Sequence, residues 1–277
     1  MEAKKVRWAV VGHGNVLLPD DARLVARVAA NGTYDELERV IEEAGVETVY
    51  VALPSSLHRE MAERAARAGA NVICEEPMAA TSEDCVAMIE ACEDAGVELT
   101  IAYRLRFEGE LEAIEPHIFT AIVTREVEGG DVRGGALLDM GIHCIRAARR
   151  VFGAEPLSVL AMQTAGAEER SRHVDATTSV VMRFPDDRIA QLTVSHRAPR
   201  ASEVRVIGAK GVVELAPSFA LDIASSEEGL ADVRVIEAIV RSAATREVVH
   251  VEGAPRSSRP SWPAAERPMR GRWMIVR

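Results

Sequence analysis

The sequence predicts an α/β protein in two parts: a parallel, doubly wound sheet, then an α+β domain built on a largely antiparallel sheet. Three observations carry this. Residues 5–103 alternate short apolar strands with amphipathic helices, as parallel sheets require. From about residue 157 the strands follow one another through tight turns, as in antiparallel sheets. The chain has 277 residues, more than one core usually holds, so two domains are expected.

The elements follow in order. Strands are predicted at 6–11, 48–53, 71–74 and 97–102, and helices at 34–44, 57–68 and 82–95. Thr33 and Glu36 have capping-box spacing, Ser82 opens another helical run, and Gly69 is a C-terminal helix stop. Residues 19–30 read two ways. Leu24–Val28 has the character of a strand, but Ala22, Val25, Ala26 and Ala29 share a helical face. A parallel crossover needs roughly a dozen residues or more, so a helix is the preferred reading. Downstream, Leu157–Met162, Thr177–Phe184, Ile189–His196, Glu203–Ile207 and Val212–Leu215 read as strands. Pro185–Arg188 and Gly208–Gly211 are their turns, and Gly229–Ala244 is a last helix. Domain boundaries on this pattern are 1–104 and 105–252. The tail 253–277, rich in proline and arginine, is expected to be disordered.

Composition narrows the function. A formal net charge of −10 argues against nucleic acid and anionic membranes as partners. No signal-peptide core or membrane-length apolar run is present, so the cytoplasm is the expected location. Cys74, Cys85, Cys92 and Cys144 lack the CxxC spacing of a zinc site, and no metal site is expected. Cys85 and Cys92, two helical turns apart, are expected to be buried thiols.

Three stretches carry candidate chemistry. Gly12-His13-Gly14 follows the first strand, where glycines let a backbone approach a pyrophosphate. Leu17 occupies the third fingerprint position, and alone the motif reads better as a tight turn with His13 solvated. Asn31 and Asp35 are the nearest polar candidates for a ribose site. Pro54-Ser55-Ser56 and Glu75-Glu76-Pro77 lie at the ends of successive parallel strands, the edge where α/β sheets bind ligands. In Gly134–Arg149, paired glycines precede a helix on which Asp139 and His143, spaced i, i+4, share a face. A carboxylate there orients an imidazole for proton transfer; on spacing alone a structural helix pair is as good a reading.

Taken in order, Gly12-x-Gly14-Asn15, Tyr50–His58, Cys74–Met78, Ala102-Tyr103-Arg104, Gly134–His143 and Val206–Gly211 resemble the glucose–fructose oxidoreductase/inositol dehydrogenase/MocA family. The flavour is nearest its glucose–fructose oxidoreductase and D-xylose dehydrogenase branch. The resemblance implies an N-terminal Rossmann domain, a C-terminal substrate and oligomerisation domain with an open sheet, NAD or NADP as cofactor, and a sugar or polyol as substrate. It implies that Gly12, Gly14 and Asn15 hold the pyrophosphate, and that Leu53, Pro54, Ser55 and His58 line the cofactor side. Glu75, Tyr103 and Arg104 are also placed at the cofactor, and position 76, Asp139 and His143 at nicotinamide and substrate. It further implies a cis Glu76–Pro77 bond. Strand alternation at 177–184 and 189–196 leaves one sheet face needing cover, so a homo-oligomer, at least a dimer, is expected.

This chain departs from the family pattern in three places. The lysine of Glu-Lys-Pro is Glu76, the first βαβ unit is shortened, and Phe107–Gly134 is brief. A lysine can stabilise developing negative charge on a reacting oxygen, whereas a glutamate inverts that field. The competing reading is therefore a catalytically impaired relative, serving as a dinucleotide- or sugar-binding or regulatory protein, or a degraded remnant.

Overall fold

A computed structural model describes residues 5–12, 16, 22–29, 34–109, 111, 114–127, 134–166, 173–219, 222–251 and 253. Apart from Gly253 the predicted tail, and the loop residues His13, Gly14, Asn15, Leu17 and Asn31, lie outside the described residues. The chain divides into two compact units, one of residues 1–104 and 220–233, the other of 105–219 and 234–277.

The first unit is a parallel sheet. Its strands and helices are β1 (Val6–Gly12), β2 (Ala22–Val28), α1 (Tyr34–Ala44), β3 (Thr48–Ala52), α2 (His58–Arg67), β4 (Asn71–Glu75), α3 (Ser82–Ala95) and β5 (Leu99–Tyr103). Every residue of β3 is buried, as expected of a strand covered on both faces. Thr81 caps α3 by accepting from the Asp84 backbone N–H at 3.1 Å, and Gly96 ends it in the left-handed conformation.

The helix expected over 19–30 is not formed. Ala22–Val28 is a strand, β2, paired parallel to β1. Without it β1 would be an edge, its outer N–H and C=O groups unpaired, and that backbone requirement outweighs the helical spacing of small residues. β2 accordingly has only Val28 buried, and Leu24 is exposed.

The sheet order is β2-β1-β3-β4-β5, closed at the far edge by a strand from later in the chain, β13 (Asp222–Ser225), antiparallel to β5. Strand order reverses between β1 and β3, so the crevice at their carboxyl ends is the topological switch point.

The second unit centres on a larger sheet. It comprises β6 (Arg106–Glu108), β7 (Pro116–Thr124), α4 (Ile142–Phe152), β8 (Ser158–Ala165), β9 (Asp175–Arg183), β10 (Ile189–Ser195), β11 (Ala201–Gly208), β12 (Gly211–Ser218) and β14 (Val249–His250). The last helix, α5 (Ser226–Thr245), contains the unit boundary and begins earlier than the expected Gly229. The order β14-β8-β9-β10-β7-β11-β12-β6 is antiparallel except where β7 runs parallel to β10.

β7 was not expected in the short Phe107–Gly134 stretch. It carries Phe119, Ala121 and Val123 inward and Ile118 and Ile122 outward, so it lacks the alternation that marks a half-exposed strand.

Candidate active site

In the first unit, four strand ends carry the candidate residues to one edge of the sheet: Gly12 from β1, Leu53-Pro54-Ser55 after β3, Glu75-Glu76-Pro77 from β4, and Tyr103-Arg104 from β5. Gly12 has φ of +105°, and a Cβ there would overlap the Ala52 carbonyl oxygen. Only glycine fits, and it sits where β1 and β3 end side by side, Gly12 in register with Ala52. The chain bends sharply after Pro54, whose carbonyl accepts from the Leu57 N–H at 2.9 Å, and α2 starts at His58. The Glu76–Pro77 bond is cis.

Two of the residues expected at the cofactor are buried and bonded within this unit. Tyr103 is fully buried, and its hydroxyl donates to Asp232 Oδ2 at 2.5 Å. His58 is buried with Nδ1 3.1 Å from the Met78 carbonyl and Nε2 2.7 Å from the Leu53 carbonyl. Burial pulls the His58 pKa below its ordinary value, the two carbonyls opposing that. A neutral imidazole has one N–H, so one nitrogen donates while the other rests against its carbonyl. His58 is thus a strut between the turns after β3 and β4.

Glu75 is the hub of the exposed edge. Its Oε1 accepts from the Tyr50 hydroxyl at 3.2 Å and pairs with the Arg104 guanidinium. Burial raises the Tyr50 pKa; Arg104 opposes the shift and the Glu76 charge adds to it. Glu76 therefore lies within electrostatic reach of this cluster, and the cation of the edge is Arg104.

In the second unit, Leu137–Gly141 winds as a wide π-type turn before α4, with Asp139 on that turn and His143 at the start of α4. Asp139 Oδ2 accepts from Arg125 at 2.6 Å and from His196 Nε2 at 2.8 Å. His143 is buried within α4.

Gly135, at φ +87°, lets Asp175 come close enough to cap this segment: a Cβ would overlap Asp175 Oδ1. Asp175 Oδ2 accepts from the Leu137 N–H at 2.8 Å and from the Thr178 hydroxyl at 2.6 Å. Arg125, Asp175 and His196 escaped the sequence reading because no local spacing links them to Asp139. His196 is 57 residues away in sequence.

No cluster of three or more metal-binding side chains occurs among the described residues. All four cysteines are buried and none forms a disulfide; burial pushes Cys92 to about 11 and Cys144 to about 12 and raises Cys74 further, which disfavours the nucleophilic thiolate at these three.

A parallel sheet with a glycine at its switch point is the arrangement of nucleotide-binding α/β folds, and the tight Gly12 turn fits the approach of a dinucleotide pyrophosphate. Residues 18–103 match the oxidoreductase family with an NAD-binding Rossmann fold, and residues 123–214 match the GFO/IDH/MocA C-terminal domain. The chain belongs to the GFO/IDH/MocA oxidoreductase family, and its cofactor class is a nicotinamide dinucleotide, NAD or NADP.

An uncharacterized oxidoreductase of Rhizobium meliloti is 31% identical over 219 residues, 72% of this chain and 64% of that one. D-xylose 1-dehydrogenase (NADP(+)) 2 of Haloferax volcanii is 29% identical over 229 residues, 76% of this chain and 69% of that one. The chain thus matches about two thirds of these relatives' lengths. The aldose-aldose oxidoreductase of Caulobacter crescentus, solved with glycerol, superposes with a TM-score of 0.75 at 26% identity, covering 89% of this chain and 99% of that one.

Proposed function

We propose that this protein is an NAD(P)-dependent oxidoreductase that moves hydride between the nicotinamide and a CH–OH group of a sugar or polyol. The observation that carries the reading is Gly12 at the switch point, where only a glycine leaves room beside the Ala52 carbonyl. In this reading residues 1–104 are the dinucleotide-binding domain, and the segment 105–252 binds substrate and partner. Gly12, Gly14 and Asn15 hold the pyrophosphate, Leu53, Pro54 and Ser55 flank the cofactor, and the Glu75–Arg104 pair closes the edge beside it. Asp139 and His143 bind the substrate hydroxyl and exchange its proton, and Glu76 takes the family's lysine position. When bound, the cofactor supplies the hydride acceptor. The xylose substrate of the Haloferax relative and the aldoses of the Caulobacter one support the sugar class. The buried cysteines, none in a disulfide, support a reducing compartment.

The outer face of the second sheet supports a homo-oligomer. Ile122, Thr193, Ser179 and Met162 align across β7, β10, β9 and β8, with exposed Leu160 and Val181 beside them. Exposed Ile122, Met162, Leu160 and Val181, interleaved with the polar Thr193, Ser179 and Gln191, are the apolar side chains that support an interface there. Light scattering is expected to give a dimer or larger species, and Met162→Asp, at a side chain 77% exposed, to lower the mass.

Titration of the protein with NADH and NADPH, followed by turnover against a panel of aldoses and polyols, tests the main reading. Failure to bind either dinucleotide would refute it. A second reading, a binding or regulatory relative without turnover, is favoured by Glu76 alone, because its charge repels an alkoxide-like transition state. Tight dinucleotide binding with no turnover across the panel would favour that second reading.

A further inference from the structure

We propose that His196 is the positioning residue of Asp139, locking one carboxylate oxygen so that the other is presented to the ligand. This rests on the oxidoreductase reading for what the ligand is, and on the second unit's own geometry for the pair.

Three elements deliver the groups. Asp139 comes from the π-type turn before α4, Arg125 follows β7, and His196 follows β10. Both contacts fall on the same atom: His196 Nε2 at 2.8 Å and Arg125 at 2.6 Å from Oδ2. Oδ1 has no partner among the described residues, and the side chain retains 28% exposure, so this oxygen is left to accept from a ligand.

The two donors are unequal. Arg125 is 54% exposed in its side chain, whereas His196 is 5% exposed. An exposed arginine is a mobile and well-hydrated partner; a buried imidazole is a fixed one.

His196 is fixed in several ways. Its backbone N–H donates to the Ala176 carbonyl at 2.8 Å, its carbonyl accepts from Val127 N–H at 3.3 Å, and the preceding Ser195 hydroxyl pairs with Thr177 at 2.7 Å while accepting from the Arg197 N–H at 3.1 Å. The Arg125 N–H donates to the Ser195 carbonyl at 2.9 Å, so the ends of β7 and β10 are tied together beneath the carboxylate.

The ring's other nitrogen identifies the tautomer. Nδ1 is buried and has no hydrogen-bond partner among the described residues. A carboxylate only accepts, so the proton must sit on Nε2. A second proton on Nδ1 would be a buried donor with no acceptor, which is costly. The neutral ring with its proton on Nε2 is therefore the form that satisfies the site. Among the described residues, Arg125 then offsets the charge on Asp139, and His196 contributes direction. Asp139 thus takes an orienting bond from the end of β10, 57 residues away in sequence.

The test has two arms. Nitrogen NMR of the imidazole rings in the full chain, with His196→Gln assigning the resonance, is expected to show His196 protonated at Nε2. Asp139→Ala is expected to shift that resonance. A ring protonated at Nδ1, or a resonance indifferent to Asp139→Ala, would overturn the proposal. In the second arm, His196→Leu is expected to lower kcat about 10- to 100-fold, the scale for losing a group that orients a reacting side chain, with NADH affinity within about twofold of the parent. His196→Gln, which keeps an N–H near the Nε2 position, is expected to recover most of that loss. Equal losses in both variants, or a loss that tracks NADH affinity, would overturn it. A parent that binds no dinucleotide would sink the oxidoreductase reading, and the NMR arm would still decide whether His196 directs Asp139.

Discussion

The two units position polar groups by different means. In the first, the sheet is parallel and its central strand is buried throughout, so reactive residues can only emerge at strand ends: Gly12, Pro54, Glu75 and Arg104. In the second, the sheet presents one face to its own core and one outward, as the alternating burial of β9 shows. There, the polar network is assembled from strand ends and a helix entry far apart in sequence: Arg125, Asp139, Asp175 and His196. The first arrangement depends on backbone geometry, and the second on side-chain pairing. Backbone geometry should tolerate substitution least, because no rotamer can relieve it.

That ranking can be broken by experiment, beginning with the backbone. Gly12→Ala must place a Cβ against the Ala52 carbonyl in a region of φ that costs an alanine about 1–3 kcal/mol before the overlap is counted. We expect a loss of stability in urea at least that large and a collapse of NADH affinity. A variant that unfolds and binds like the parent would show that strand ends are no less forgiving than side-chain pairs.

Glu76→Lys probes the charge at the same edge. Removing one preorganised donor to a reacting oxygen typically costs about 3–4 kcal/mol, and restoring one should raise sugar-dependent reduction of NAD(P)+ by orders of magnitude, provided dinucleotide binding is unchanged. If the parent is already active and Glu76→Lys is slower, Glu76 has become a general base. No turnover in either variant would mean that the lost lysine is not the limiting defect.

Tyr103→Phe sharpens the contrast between site and core. It removes the hydroxyl that donates to buried Asp232 and should cost about 1–3 kcal/mol in denaturant unfolding, with NADH affinity little changed. A large change in affinity at unchanged stability would return Tyr103 to the cofactor site.

The smallest effect is a pH slope. His58 has its pKa lowered in the folded state by burial, so the unfolded chain binds more protons near its ordinary pKa of about 6.5. Stability from His58 is full above that value and declines as pH falls through it toward the folded pKa. The thermal midpoint should therefore drop between about pH 7 and 5, and His58→Gln should flatten that part of the profile. An unchanged slope in the variant would assign it to other groups.

Much of the architecture was legible because it is local. α1 and α3 follow from their apolar periodicity and end signals, and β1, β3 and β4 from short apolar runs bounded by turns. The cis Glu76–Pro77 turn and the strand-end placement of Pro54 and Glu75 followed from the family resemblance and from parallel topology. What escaped was non-local. β2 is a strand because β1 needed a partner, and β7 is central although both its faces are apolar.

The same division runs through the candidate site. The sequence by itself determined which residues have chemistry to offer and the edge of the first sheet on which Gly12, Pro54 and Glu75 lie, because strand direction follows from the βαβ order. Tertiary structure alone decided that Tyr103 and His58 make buried bonds within the first unit and that Asp139 bonds Arg125 and His196. Hydrogen bonds between residues distant in sequence depend on where the backbone has already been carried by sheet pairing, and the ends of β7 and β10 bring Arg125 and His196 to a carboxylate on the turn at Leu137–Gly141.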